Sequence, residues 1–171
     1  VKILVELTGF DLADAESFAR TAKRLIEGLV QRNRELLRRG DLPPIYRSGV
    51  LYARDVAGDI TLRDALTCLA RKWGHCAHLS AWLCAELNEG RYPEPFGRTI
   101  DATIRFKWSP RSDGLGQMYH VQVRLPKSEG RGPPGLGQIE DPTNNEGQIL
   151  DPSRMLGMGR FPAPLVGVAR F

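Results

Sequence analysis

Apolar positions recur with helical spacing along the first quarter of the chain. Phe18, Ala22, Leu25, Ile26, Leu29, Val30, Leu36 and Leu37 mark one face of a long helix, which Asp11 or Asp14 can cap and which Gly40 and Pro43-Pro44 stop. Ahead of it, Val1 to Leu7 is β-branched and apolar and ends at Thr8-Gly9, the pattern of a terminal strand that can pair at a sheet edge or with another chain. Residues 42–52 mix prolines and Gly49 with aromatics, which excludes a continuous helix and predicts an irregular segment wrapped on the core beside a cleft. Thr61-Leu62-Arg63-Asp64 reads as a capping box with Asp in place of Glu, opening a short helix through Ala65, Leu66, Leu69 and Ala70. Gly74 breaks that segment, and from Cys76 the apolar side recurs at Leu79, Leu83 and Leu87, a second helical face.

Beyond the turn-rich residues 90–97 the period changes to two. Ile100, Ala102, Ile104, Phe106 and Trp108 alternate with Asp101, Thr103, Arg105 and Lys107. After a loop from Ser109 to Gln117, Tyr119, Val121, Val123 and Leu125 alternate with His120, Gln122 and Arg124. Residues 126–137 form a Gly- and Pro-rich loop. Two similar segments follow, Gly137-Gln138-Ile139-Glu140-Asp141-Pro142-Thr143 and Gly147-Gln148-Ile149-Leu150-Asp151-Pro152-Ser153, and either can be the strand end that presents an aspartate. The pattern is that of an α+β chain, with one domain over residues 1–158 and an extended arm over 159–171. In that arm Pro162, Pro164 and Gly167 exclude a regular helix, while Phe161, Leu165, Val166, Val168 and Phe171 call for a covering partner.

Composition narrows the reading. A chain of 171 residues with 42% hydrophobic and 26% charged positions is long enough for one core and ordinary for a globular protein. No apolar run approaches the roughly 20 residues that span a bilayer, and Val1 to Leu7 does not read as a secretory signal, so synthesis in the cytoplasm and no membrane partner are expected. The net charge of +4 is modest, and Arg32, Arg34, Arg38 and Arg39 fit a solvated helix end better than a patch for sequence-specific nucleic acid. Cys68, Cys76 and Cys84, three residues spaced by eight, cannot pair completely, which argues against a disulfide framework.

Cys76 is where the chemistry concentrates. At the first turn of its helix, unpaired backbone N–H groups and the positive end of the dipole stabilise a thiolate. The histidine far from it in sequence, His120, lies on the polar side of its strand, and Asp141 and Asp151 follow. These residues can act as nucleophile, base and orienting group, with N–H groups at the helix start, near Trp73, facing an oxyanion. Cysteine, histidine, aspartate is the chain order of papain-like and transglutaminase-like cysteine enzymes. A zinc site from His75, Cys76, His78 and Cys68 or Cys84 is disfavoured, since the adjacent His75 and Cys76 diverge on a helix and no Cys-x-x-Cys pair is present. No metal or cofactor is expected.

Several pieces of the chain resemble, in order, a group of small transglutaminase-like cysteine-protease-fold proteins of tailed bacteriophages. They are Leu42-Pro43-Pro44-Ile45-Tyr46-Arg47-Ser48-Gly49-Val50-Leu51-Tyr52, Trp73-Gly74-His75-Cys76 with Leu79, Ala81-Trp82 and Ala85-Glu86-Leu87, Tyr119-His120-Val121-Gln122-Val123, and Asp151-Pro152-Ser153-Arg154-Met155-Leu156-Gly157-Met158. They cover under half of the chain. Where the family has Gly-Asp-Cys-Glu-Asp, this chain has Gly74-His75-Cys76-Ala77-His78. The resemblance implies a Cys-bearing helix packed on a small antiparallel sheet that carries the His and Asp, with Asp151 as the third group ahead of Asp141. It implies a virion location, with contacts to other virion proteins through the N-terminal strand and C-terminal arm. Two functions follow from it: a structural virion component with an altered site, or a thiol enzyme acting on a peptide or amide substrate in virion maturation or cell-wall penetration.

Overall fold

The structure, a computed structural model, describes residues 15–54, 61–91, 99–110, 117–126, 138–139 and 148–157. The N-terminal strand expected at 1–7, the aspartate at 141 and the arm at 159–171 lie outside these residues. Among the described residues, four helices and six strands follow in the order α1 (Ala15–Arg39), β1 (Leu51–Tyr52), α2 (Ala65–Arg71), β2 (Trp73–Gly74), α3 (Cys76–Asn88), β3 (Thr103–Pro110), β4 (Gln117–Arg124), β5 (Gln138–Ile139), β6 (Ile149–Leu150) and α4 (Pro152–Met155). A 3-10 turn at Ile45–Arg47 precedes β1. The architecture is α+β, with a four-stranded antiparallel sheet in the order β3-β4-β6-β5 and a separate parallel pair, β1-β2. None of the described helices is long and apolar enough to cross a membrane.

α3 is the centre of the molecule. It packs against α1 on one side and β4 on the other, and every residue from Cys76 to Leu87 is buried. The leucine face read from sequence is only part of it, because a helix covered all round is apolar all round and loses its amphipathic signature. Leu79, Trp82, Leu83 and Leu87 are each at most 1% exposed, and burial of such side chains contributes about 2 kcal/mol apiece. The polar residues of α3 are each given a partner. Ser80 Oγ donates to the Val121 carbonyl at 2.9 Å, and Glu86 Oε1 accepts the Ile45 N–H at 2.6 Å. Burial pushes the Glu86 carboxyl up to about 8, against the Ile45 N–H and the Trp82 indole, so it is a neutral acid at pH 7. The Trp82 N–H faces that carboxyl without closing a full hydrogen bond.

α1 buries Ile26, Val30, Leu36 and Leu37, whereas Leu25 remains exposed. The buried stripe runs through Asn33 instead, a polar residue that pattern reading passes over. Its Oδ1 accepts the Ala65 N–H at 2.8 Å and so satisfies the start of α2 from outside. The expected Thr61 box is replaced by Asp64, which is itself the N-cap and accepts from Thr67 N at 2.9 Å and Thr67 Oγ1 at 2.7 Å. Arg34 and Arg38 clamp Glu89 at the end of α3, Arg38 in bidentate fashion at 2.7 and 2.8 Å, so half of the arginine cluster joins α1 to α3.

β3 and β4 pair along their whole length, from Thr103↔Arg124 to Pro110↔Gln117, so the strands take in Ser109, Pro110 and Gln117, which composition assigns to a loop. At the other end, Ile100 and Ala102 keep the alternation but pair with α3, through Leu87 O and Asn88 Oδ1. The two repeated segments pair with each other, Gln138↔Leu150 and Ile139↔Ile149, which makes β6 a short inner strand beside β4. β6 ends at Leu150, and Asp151 caps α4 through Oδ1 to the Ser153 N–H at 3.1 Å.

Candidate active site

Two local devices place Cys76. α2 closes with Lys72 in the left-handed conformation (φ 63°), which turns the chain into β2. β2 then pairs in parallel with β1, Leu51↔Trp73 and Tyr52↔Gly74, and Ala53 N–H donates to Gly74 O at 3.0 Å. Gly74 passes so close to α2 and α3 that a Cβ would stand 3.2 Å from Cys68 Sγ and 3.3 Å from His78 Cβ and Leu79 Cδ2. A glycine therefore sets the distance from which α3 starts.

The first turn of α3 is capped by histidines. His75 Nδ1 accepts the Ala77 N–H at 3.1 Å, and His78 Nδ1 accepts the His75 N–H at 3.2 Å, a capping box built from two imidazoles. Their rings stack with centroids 3.5 Å apart, and both Nε2 atoms meet the Thr61 carbonyl, at 3.3 and 2.8 Å. Since each Nδ1 accepts, each Nε2 carries the hydrogen and donates to that carbonyl. Burial first, then the neighbouring His75, Arg63 and Arg71, hold His78 down to about 3, so it is neutral throughout the physiological range. These two histidines thus serve the backbone, and no set of three His, Cys, Asp or Glu side chains among the described residues converges as metal ligands.

The opposite wall is β4. Leu125 N–H donates to Gln148 O, so the odd residues of β4 turn their backbone groups toward β6. At Val121 there is no β6 left to meet them, and the start of α3 fills the gap. Ser80 Oγ bonds the Val121 carbonyl, and the Val121 N–H reaches the Cys76 sulfur. The even residue His120 then points into the same corner. Its Nε2 lies 2.7 Å from Asp151 Oδ2, and its ring stands close enough to the Cys76 thiol for each to shift the charge of the other. With Asp151 ionised, Nε2 is the donating nitrogen and Nδ1 is the one left for the sulfur. Asp151 is 1% exposed, the His120 side chain 19%, so solvent reaches the imidazole but not the carboxylate behind it.

The electrostatics follow from these contacts. Burial alone would push the Cys76 thiol up. The adjoining His120 and His75 side chains, the His120 charge and the Val121 N–H overcome it and pull the thiol down to about 6. Burial also opposes the His120 cation, yet Asp151 and Cys76 raise it to about 9. Asp151 is lowered despite its burial, by His120, by the Gln122 side chain and by the Ser153 N–H. Between about pH 6 and 9 the site is therefore a thiolate beside an imidazolium, oriented by a carboxylate. Cys84 provides the contrast, a buried thiol pushed up to about 12 by its burial, which the Arg34 charge and the Asn88 side chain offset only in part.

Chain order offers Cys76, His120 and either Asp141 or Asp151; Cys76, His120 and Asp151 come together, while Asp141 lies outside the described residues. Three further residues escaped notice as members of the site. Gln122, on the polar face of β4, is buried behind Asp151 and takes Arg105 Nη1 on its other end at 3.4 Å. His75 caps the helix and touches the thiol. Tyr52 sits near enough to Cys76 and Asp151 that burial and those two charges raise its phenol, against a hydrogen bond from Arg54. Gln122 was legible as the next polar residue after His120, whereas the other two come together only through the β1-β2 pairing. The guanidiniums of Arg63 and Arg71 lie over the Trp73 ring, at 5.3 and 4.6 Å from its centroid. Because the Ala77 N–H is spent on the His75 cap, the Cys76 N–H is the first-turn amide that remains for an oxyanion. No protein-family model, curated protein or solved structure matches this chain.

Proposed function

We propose that the chain is a thiol acyl-transfer enzyme of papain-like or transglutaminase-like type that cleaves or transfers amide bonds through an acyl-enzyme at Cys76. The observation that carries this reading is the joint geometry of Cys76 and the His120–Asp151 pair, with the thiol held at about 6 and the imidazole at about 9. In the attack, the Cys76 thiolate forms a C–S bond to the amide carbonyl, and the carbonyl oxygen becomes an oxyanion facing the Cys76 N–H. His120 Nδ1 gives its proton to the departing amine as the C–N bond breaks, leaving a thioester. Water or an amine then gives a proton to Nδ1 and attacks the thioester, and that proton returns the sulfur and imidazole to their starting ion pair. Asp151 keeps Nε2–H in place throughout and holds the ring in the tautomer that presents Nδ1.

A second reading, a structural virion component whose site is not used, is favoured by one observation: Cys76 is only 8% exposed, so a substrate must reach it through a narrow opening. The phage setting itself rests on the resemblance of residues 42–52, Trp73-Gly74-His75-Cys76 and residues 151–158. An activated ester such as p-nitrophenyl acetate separates the two. The enzyme reading expects a burst of one nitrophenolate per chain, acetyl on Cys76, and continued turnover, all lost in Cys76→Ala. Absence of acylation at Cys76 in a folded protein would leave the structural reading standing.

A further inference from the structure

Several cationic side chains stand around the Cys76–His120–Asp151 cluster. Arg154 is 58% exposed and its Nε stands 3.6 Å from Asp151 Oδ2, the oxygen that His120 already engages at 2.7 Å. The aspartate is thus occupied by the shorter bond, and the guanidinium extends past it toward solvent. On the β1 side, exposed Arg54 bonds the phenol of Tyr52, whose ring feels both Cys76 and Asp151. On the sheet side, exposed Lys107 is the cross-strand neighbour of His120, and Arg105 that of Gln122, so both share the face that bears the imidazole. Among the described residues, the carboxylate in this cluster is Asp151, and it is buried and internally bonded. Among the described residues that one buried carboxylate is set against four cations, Arg154, Arg54, Lys107 and Arg105, whose mutual repulsion an anionic partner relieves.

Building on the acyl-transfer reading, we infer that the opening selects a substrate with a carboxylate close to the scissile amide, bound by Arg154 and by the Tyr52–Arg54 pair. A planar guanidinium takes a carboxylate in two parallel hydrogen bonds, which fixes orientation as well as charge. The anion would also stand within reach of Lys107 on approach, which speeds encounter.

Two alkylating agents of nearly equal size test this on the intact chain without knowledge of the natural substrate: anionic iodoacetate and neutral iodoacetamide, with Cys76 modification followed by peptide mass spectrometry at pH 7. The iodoacetate-to-iodoacetamide rate ratio, normalised to that of free cysteine, should exceed one and fall as salt is raised. Because the His120 imidazolium itself attracts an anion, the deciding variants are Arg154→Gln and Arg54→Gln, each expected to lower the ratio by about fivefold. Arg154→Lys, which keeps the charge, should lose less, and Arg39→Gln, at the far end of α1, should leave the ratio where it was. A ratio that is the same in Arg154→Gln and Arg54→Gln as in the parent overturns the carboxylate preference while leaving acyl transfer intact. A Cys76 that neither reagent modifies at pH 7 removes the acyl-transfer reading and this inference with it.

Discussion

Replacing Asp151 by Asn asks whether the carboxylate sets the charge state of the site. Asn keeps Oδ1 for the Ser153 N–H, so the cap on α4 survives, but it puts an amide N–H where Oδ2 faced His120 Nε2 at 2.7 Å. Two donors then oppose each other unless the ring moves its hydrogen to Nδ1, the nitrogen that must take the proton from sulfur. The hydrogen bond and the charge of Asp151 both hold His120 at about 9, and without them burial drives the imidazole to its neutral form. Cys76 loses its cationic partner and climbs back from about 6 toward the ordinary 9.0. At pH 7 that takes the thiolate fraction from about 90% to about 1%. The more basic thiolate is also a better nucleophile, by roughly twentyfold for three pKa units, so the rate at pH 7 falls only about fivefold. The pH midpoint of alkylation is therefore the sharper assay, expected to move up by about three units. A folded Asp151→Asn protein whose midpoint stays near that of the parent would show that Asp151 does not govern the pair.

Other expectations are more local. Glu86 binds a proton in the folded state up to about 8 and in the unfolded state only to about 4.5, so the folded state holds the extra proton between those values and stability falls as pH rises through that window. Glu86→Gln, which mimics the protonated acid, should remove that slope and gain on the order of 3 kcal/mol at pH 8.5 relative to the parent, read by urea unfolding at pH 5 and 8.5; parallel curves for the two proteins would be evidence against a neutral Glu86. Asn33→Ala should cost about 2 kcal/mol, because it leaves the buried Ala65 N–H without an acceptor, and a change under a few tenths in the urea midpoint energy would mean water takes its place. Gly74→Ala should cost about 1–3 kcal/mol by pressing on Cys68, His78 and Leu79 and should slow Cys76 alkylation as the start of α3 shifts; unaltered melting and alkylation would show that α3 does not depend on the close approach.

Much of this was legible where local period and local chemistry agree. The Cys76 helix follows from Gly74 and the leucine spacing, and the β4 alternation puts His120 opposite Val121. What pattern could not supply are contacts that join distant segments. Asn33 looks like an interruption of a helical face until Ala65 is known to sit beside it, and Thr61 looks like a cap until Asp64 takes that role and its carbonyl receives two imidazoles. The choice between Asp141 and Asp151 had no answer in two nearly identical segments. β6 lies beside β4, which carries Asp151 to His120, while Asp141 falls outside the described residues. Leu25 and Ile26 are equally apolar, and only the packing of α1 on its neighbours decides that Ile26 is the buried one.

The pH dependence of iodoacetamide labelling, resolved cysteine by cysteine, is the most direct test of a poised thiolate at Cys76. Cys76 should be labelled along a curve with its midpoint near 6, while Cys84, pushed up to about 12, stays unlabelled across the same range. A Cys76 curve that rises only near 9.0, or labelling of Cys76 no faster than of Cys68 and Cys84 at pH 7, would contradict an ion pair with His120.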